Sequence, residues 1–180
     1  INSYLVLEPE ILISPSVIRT TEGCIRKYYI QKRNSSSEKN YNMLKGSLVN
    51  NAFDLLIEDN KKSKTEIIET VLEEMLIDLA SLQDEDLPEP DKIKADLKLH
   101  LDALAVWKTH AKFSQATEMT TEPTFISNEY GLSGRLDLLV NPGKEAVTYE
   151  LKTSKPPSSS KPWMGDSFQV ACYQLLLDSA

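Results

Sequence analysis

Leu132-Ser133-Gly134-Arg135-Leu136-Asp137-Leu138-Leu139-Val140 is followed by Asn141-Pro142-Gly143-Lys144, and then by Ala146 to Glu150-Leu151-Lys152. The flanks read as strands and the Asn-Pro-Gly centre as a tight turn, which predicts a hairpin. Asp137 interrupts an otherwise apolar strand. Glu150 and Lys152 are two residues apart, so both point to one face of the next strand. Charged residues at positions that should serve a core are costly unless they pair or bind something. Two acids and a lysine on adjacent strands could hold a divalent cation, and carboxylate oxygens suit magnesium or manganese. Such an ion polarises a phosphate and lowers the pKa of its water, and the lysine would stand beside that water or the scissile phosphate. The commonplace alternative, a hairpin edge with exposed charges, stays open on these residues alone.

Working outward, Thr124-Phe125-Ile126 reads as a further strand, set off by the turn-like Ser127-Asn128-Glu129. Downstream, Pro156 to Pro162 is a loop and Trp163 to Asp178 a helix, with Phe168, Val170, Ala171, Leu175 and Leu176 mostly inward. Gln169 and Tyr173 are four apart on that helix and share a face. Upstream the period is helical. Ser14 caps a helix that begins at Pro15 and runs to about Arg33, with Val17, Cys24, Ile25, Tyr28 and Tyr29 inward. A second helix spans about Asn42 to Asp59, with Leu44, Leu48, Ala52, Leu55 and Leu56 at helical spacing. A third spans about Lys64 to Leu82. After the break at Leu87-Pro88-Glu89-Pro90, a fourth spans about Asp91 to Ala111, with Ile93, Leu97, Leu101, Leu104 and Trp107 on one face. This order predicts an α/β (α+β) fold, a small mixed sheet flanked by helices. The expectation is one domain over 1–180, helical over about 14–111 and carrying the sheet and site over about 122–178.

The composition permits this. The 180 residues suit a single domain, and 41% hydrophobic and 26% charged residues are ordinary for a globular chain. No apolar run approaches the roughly 18 residues needed to cross a bilayer, and Glu8 and Glu10 spoil any signal peptide. The chain starts at Ile1 without methionine and ends in a helical pattern, so it reads as part of a longer protein. Cys24 and Cys172 cannot alone build a four-ligand metal or cluster site, and both read as reduced and intracellular. The net charge of −7 argues mildly against nucleic acid as a partner. Its distribution softens that objection. Arg19, Arg26, Lys27, Lys32 and Arg33 cluster near the start, while the acids concentrate between Asp54 and Asp91.

Gly134 to Asp137, Glu150 to Lys152 and Gln169 to Tyr173, in that order, resemble the G-x-x-D, E-x-K and Q-x-x-x-Y motifs of RecB-type PD-(D/E)XK nucleases. Glu122 with Tyr130 to Asp137 adds to the likeness. So do Ile13-Ser14 through Cys24-Ile25-Arg26-Lys27, and Met43 to Val49, which resemble the branch containing the Okazaki-flap nuclease–helicase and the CRISPR-adaptation exonucleases. The resemblance covers nearly the whole chain and is weak over about 60 to 115. It implies a restriction-endonuclease-like core and phosphodiester hydrolysis on DNA, on single-stranded ends or flaps, with a fused or associated helicase. It implies Mg2+ or Mn2+ held by Asp137, Glu150 and the carbonyl of Leu151, with Lys152 orienting or activating the attacking water. Gln169 and Tyr173 would organise DNA and the pocket, and Arg19, Arg26 and Lys27 would extend the DNA-binding surface.

Three positions depart from the pattern. The helix after Gly46 usually carries a metal-binding histidine, and here that position is Asn50. Either the site works with a weaker, neutral ligand, or activity has been lost, or the match is off by one helical turn. Cys24 matches one of four cysteines that hold a 4Fe–4S cluster in the flap nuclease. The other three are missing, so no cluster is expected in this chain, although a longer protein could have one. Cys24 taken alone reads equally well as a buried small apolar residue. Finally, the strand that usually follows the Q-x-x-x-Y helix does not occur before Ala180. His100 and His110, in the acidic helical part, read as ordinary surface or packing histidines. Beside the nuclease stand two rivals, a catalytically weakened module of the same fold that binds nucleic acid or proteins, and an unrelated helical interaction domain.

Overall fold

The apolar stripe at Leu44, Leu48, Val49 and Ala52 recurs at helical spacing and is buried, and it builds the central helix α3 (Tyr41–Glu58). Asn40 caps that helix by accepting a hydrogen bond from Met43 N–H. Two further helices pack on it in this computed structural model, which describes residues 12–21, 24–33, 40–59, 61–82, 87–109, 118–141, 146–155, 157–158 and 161–179. One is α4 (Lys64–Glu74), opened by a capping box between Ser63 and Glu66. The other is α6 (Pro90–Lys108), with Pro90 in the first turn where its missing N–H costs nothing. Between them lies the short α5 (Leu76–Ala80). Ile67, Ile68, Val71, Ile93, Leu97 and Leu101 close this helical core against α3. Each such side chain contributes roughly 1.5–3 kcal/mol on burial.

The helix expected over 64–82 bends at Met75, whose φ of −102° and ψ of 15° leave the helical region. The apolar period runs on through the bend, so nothing in the sequence marks it. The helix expected over 14–33 is instead two helices, α1 (Pro15–Thr21) and α2 (Ile25–Arg33). Gly23 between them is a poor helix former. The break also overturns the expected inner face. Cys24 is exposed, and Ile25 and Tyr29 are 75% and 60% exposed. A buried packing role for Cys24 is therefore ruled out.

The expected strand from Leu132 to Val140 is two strands. β3 (Leu132–Arg135) pairs antiparallel with β2 (Thr124–Ser127), and β4 (Leu138–Asn141) pairs antiparallel with β1 (Glu118–Thr121) and with β5 (Val147–Tyr149). The β4–β5 pair is the hairpin read from the sequence; its turn, 142–145, lies outside the described residues. Each pairing of named strands is antiparallel, and a parallel contact enters through the Ile13–Leu132 bridge. Leu136 and Leu138 show why the strand breaks. Both are fully buried, but Leu136 packs toward α7 (Met164–Asp178) and Leu138 toward α3. Residues two apart on an unbroken strand would share a face. The turn of the chain between them puts Asp137 at the cusp, with a helix on either side.

The buried face of α7 also differs from expectation. Gln169, Cys172, Tyr173 and Leu176 form it, at i, i+3, i+4 and i+7, whereas Phe168, Val170, Ala171 and Leu175 are exposed. An apolar count favours the other face because it gives no weight to polar side chains whose partners lie inside the fold.

Candidate active site

Asp137 leaves the strand ladder, and its Oδ2 accepts a 2.6 Å hydrogen bond from the backbone N–H of Leu151. That bond fixes the cusp against the chain just past β5, where Glu150 and Lys152 stand. Lys152 Nζ lies 2.6 Å from Glu150 Oε1 and donates to Gln169 Oε1 at 3.1 Å. Gln169 Nε2 donates to the same Glu150 oxygen at 2.6 Å and to Tyr173 Oη at 2.8 Å. Tyr173 in turn donates to the carbonyl of Arg135 at 3.1 Å, closing the chain of bonds back to the cusp. The side-chain polar groups of Gln169 and Tyr173 are thereby matched, which is what allows a glutamine and a tyrosine to be buried.

The remaining oxygen of Glu150, Oε2, is buried and has no hydrogen-bond partner among the described residues. An unpaired carboxylate oxygen in such a place is costly, and a cation would relieve that cost. An open cleft of about 360 Å³ lies alongside, lined by Arg19, Gly46, Asn50, Asp137 and the run from Glu150 to Ser154. Asn50 thus stands in the same cleft as the two carboxylates. Among the described residues no group of three or more His, Cys, Asp or Glu gathers as a metal site. Two carboxylates with an amide and a carbonyl are the set for an ion that keeps several of its own waters, as magnesium does.

Burial dominates the electrostatics of the acids here. Burial pushes the carboxyl of Asp137 up to about 6, helped by the charge of Glu150 and opposed by the Leu151 N–H and Lys152. Asp54, one turn beyond Asn50 on α3, is raised to about 7 by burial and by the charges of Glu122, Glu58 and Asp137. Burial also raises the phenol of Tyr173 far above its ordinary range, so it stays a neutral donor.

The other expected residues are placed unevenly. Arg19, on α1, reaches the cleft and pairs at 3.2 Å with Asp166 in the first turn of α7. Arg26 is exposed on α2, and the side chain of Lys27 lies outside the described residues. Cys24 is a free, exposed thiol before α2, and Cys172 is a buried free thiol in α7. His100 is on α6, half-buried, its pKa lowered by burial and by Lys45; His110 lies outside the described residues. Sequence reasoning missed Asp54 and Asp166. Both were signalled only by spacing, Asp54 four residues after Asn50 and Asp166 three before Gln169.

A model of the PD-(D/E)XK nuclease superfamily matches residues 12–180. The chain belongs to that superfamily. No curated protein matches it. Membership accounts for the antiparallel sheets flanked by helices and for nuclease chemistry in general. PD-(D/E)XK nucleases generally use Mg2+ or Mn2+, and the orphaned Glu150 oxygen beside Asp137 fits such an ion. No described helix is long and apolar enough to cross a membrane.

Proposed function

We propose that this chain is a metal-dependent deoxyribonuclease domain that hydrolyses phosphodiester bonds, acting on single-stranded ends or flaps. The observation that carries the reading is the buried, unpartnered Oε2 of Glu150, a residue that lines one cleft with Asp137 and Asn50. Asp137, Glu150, the carbonyl of Leu151 and Asn50 would hold the cation. Bound there, it would supply Lewis-acid polarisation of the phosphate and a more acidic water.

The protein's own groups do the rest. Lys152, steadied by Glu150 and Gln169, presents its ammonium at the cleft, where it orients the attacking water and offsets charge on the phosphate. Arg19, which lines the same cleft, offers a guanidinium to a neighbouring phosphate, with Asp166 fixing its direction. Gln169 and Tyr173 hold Glu150 in place from beneath. Arg26, exposed on α2, extends the cationic surface.

Asn50 favours one alternative, a weakened nuclease fold that binds nucleic acid without cutting it. A neutral amide in the cation shell binds less strongly than a charged or imidazole ligand. The two readings separate on labelled single-stranded DNA, flapped duplex, blunt duplex and single-stranded RNA, each with manganese. Cutting of the first two in preference to the others supports the proposal. Salt-dependent retention of all single strands without any cutting supports the weakened module.

A further inference from the structure

Glu122 occupies the corner where the chain passes from β1 to β2, with φ at 47°. It is the non-glycine residue found in the left-handed region among the described residues, and a side chain there costs roughly 1–2 kcal/mol. Strain of that kind persists only where surrounding contacts impose it, and such positions cluster at functional sites. The contacts are identifiable. Glu122 N–H donates to the carbonyl of Asp137 at 3.1 Å, and Leu136 N–H donates to the carbonyl of Pro123 at 3.0 Å. The Glu122 carboxylate accepts from Arg135 Nη1 at 3.0 Å. Thr121 pairs with Leu138 and Thr124 with Arg135, so Glu122-Pro123 faces Leu136-Asp137 where both chains change sheet. The two corners are locked to each other, and the second of them carries Asp137.

We propose that Glu122 is a positioning residue for the cation site. Its strained backbone and its ion pair with Arg135 hold the cusp at the one orientation in which Asp137 meets Leu151 N–H and faces Glu150. This rests on the metal-site reading given above. An alternative is that Glu122 acts through its charge alone, as one more anion near a cation. The two differ in sign at Arg135. If charge alone matters, removing the arginine's positive charge strengthens cation binding. If the ion pair holds the corner, removing either partner weakens it.

The test is Mn2+ binding without nucleic acid, followed by the electron paramagnetic resonance of free Mn2+, on the whole chain and on Glu122→Gln, Arg135→Gln and Asp137→Ala, with thermal melting of each without metal. We expect Asp137→Ala to abolish binding, and Glu122→Gln and Arg135→Gln each to weaken it about three- to tenfold while melting cooperatively. Tighter binding by Arg135→Gln overturns the positioning role in favour of charge. Unchanged Mn2+ affinity in both corner variants, even with lowered melting temperatures, makes Glu122 merely structural and overturns the inference while leaving the site reading intact. Mn2+ binding indifferent to Asp137→Ala, or none by the parent, overturns the site reading and this inference with it. Should Glu122→Gln fail to fold, Glu122→Gly replaces it, since glycine adopts this φ freely. It keeps the backbone bond but loses the ion pair, and the same weakening is expected.

Discussion

Gly134→Ala places a single methyl group where the sheet meets α7. The new Cβ would lie 2.8 Å from Leu176 Cδ1, 3.1 Å from Tyr173 Cε1 and 3.3 Å from Pro15 Cδ. Carbon atoms pack at about 3.5–4.0 Å, so Leu176 must retreat by roughly 0.7 Å or more. It has nowhere to go, being fully buried, and Tyr173 is tied through its hydroxyl to Gln169 and to the Arg135 carbonyl. Overpacking of this kind costs about 1–3 kcal/mol. For a chain of this length each kcal/mol lowers the melting temperature by about 2–4 °C, so calorimetry should record a fall of roughly 5 °C. Cleavage at 25 °C, where the variant is still folded, should also drop, because Tyr173 carries Gln169 and Gln169 carries Glu150. In a Leu176→Val background, which removes the atom met first, the alanine should cost less by about 0.5–1 kcal/mol. A Gly134→Ala protein that melts within 1 °C of the parent and cuts at the parental rate would refute the packing account of this glycine.

Proton competition gives a second prediction. The folded-state carboxyl of Asp137 titrates near 6, above its ordinary value, so the folded state binds the extra proton between roughly pH 4 and 6 and metal-free stability declines as pH rises through that window. Cation binding and cutting should therefore rise through pH 6, and a flat metal affinity from pH 5 to 8 would contradict this. Asp137→Asn should melt higher than the parent at pH 7.5 without metal. The full shift corresponds to at most about 3 kcal/mol, and partial solvent screening reduces that to about 1 kcal/mol, or a few degrees. Tyr173→Phe removes one bond to Gln169 and one to Arg135; it should cost about 1–2 kcal/mol by urea unfolding and, because Gln169 holds Glu150, should weaken cation binding and slow cutting together. Asn50→His should tighten Mn2+ binding about tenfold, by the same resonance measurement, because Asn50 already lines the cleft.

Much of the site was legible because strand and helix periods fix which residues share a face. Glu150 and Lys152, two apart, and Gln169 and Tyr173, four apart, meet as the spacing predicts. The order of helices, the β4–β5 hairpin and the inner faces of α3 and α6 were legible for the same reason. The cusp at Asp137 was not. A run from Leu132 to Val140 reads as one strand, and the break depends on Leu136 and Leu138 being drawn to opposite layers by α7 and α3, which are distant in sequence. The face of α7 was misread because Gln169 and Tyr173 are buried through tertiary hydrogen bonds that a hydropathy pattern does not contain. Asp54 and Asp166 escaped notice because an acid on a helix is ordinarily solvated, and only the folded chain brings them beside Asp137 and Arg19.

The central claim is that Asp137 and Glu150 bind the cation on which phosphodiester cutting depends. It is tested most directly by end-labelled single-stranded DNA incubated with this protein in magnesium, in manganese and in chelator, beside Asp137→Ala. The account predicts cutting in either metal, none in chelator and none by the variant. Cutting that survives chelator or Asp137→Ala would contradict it.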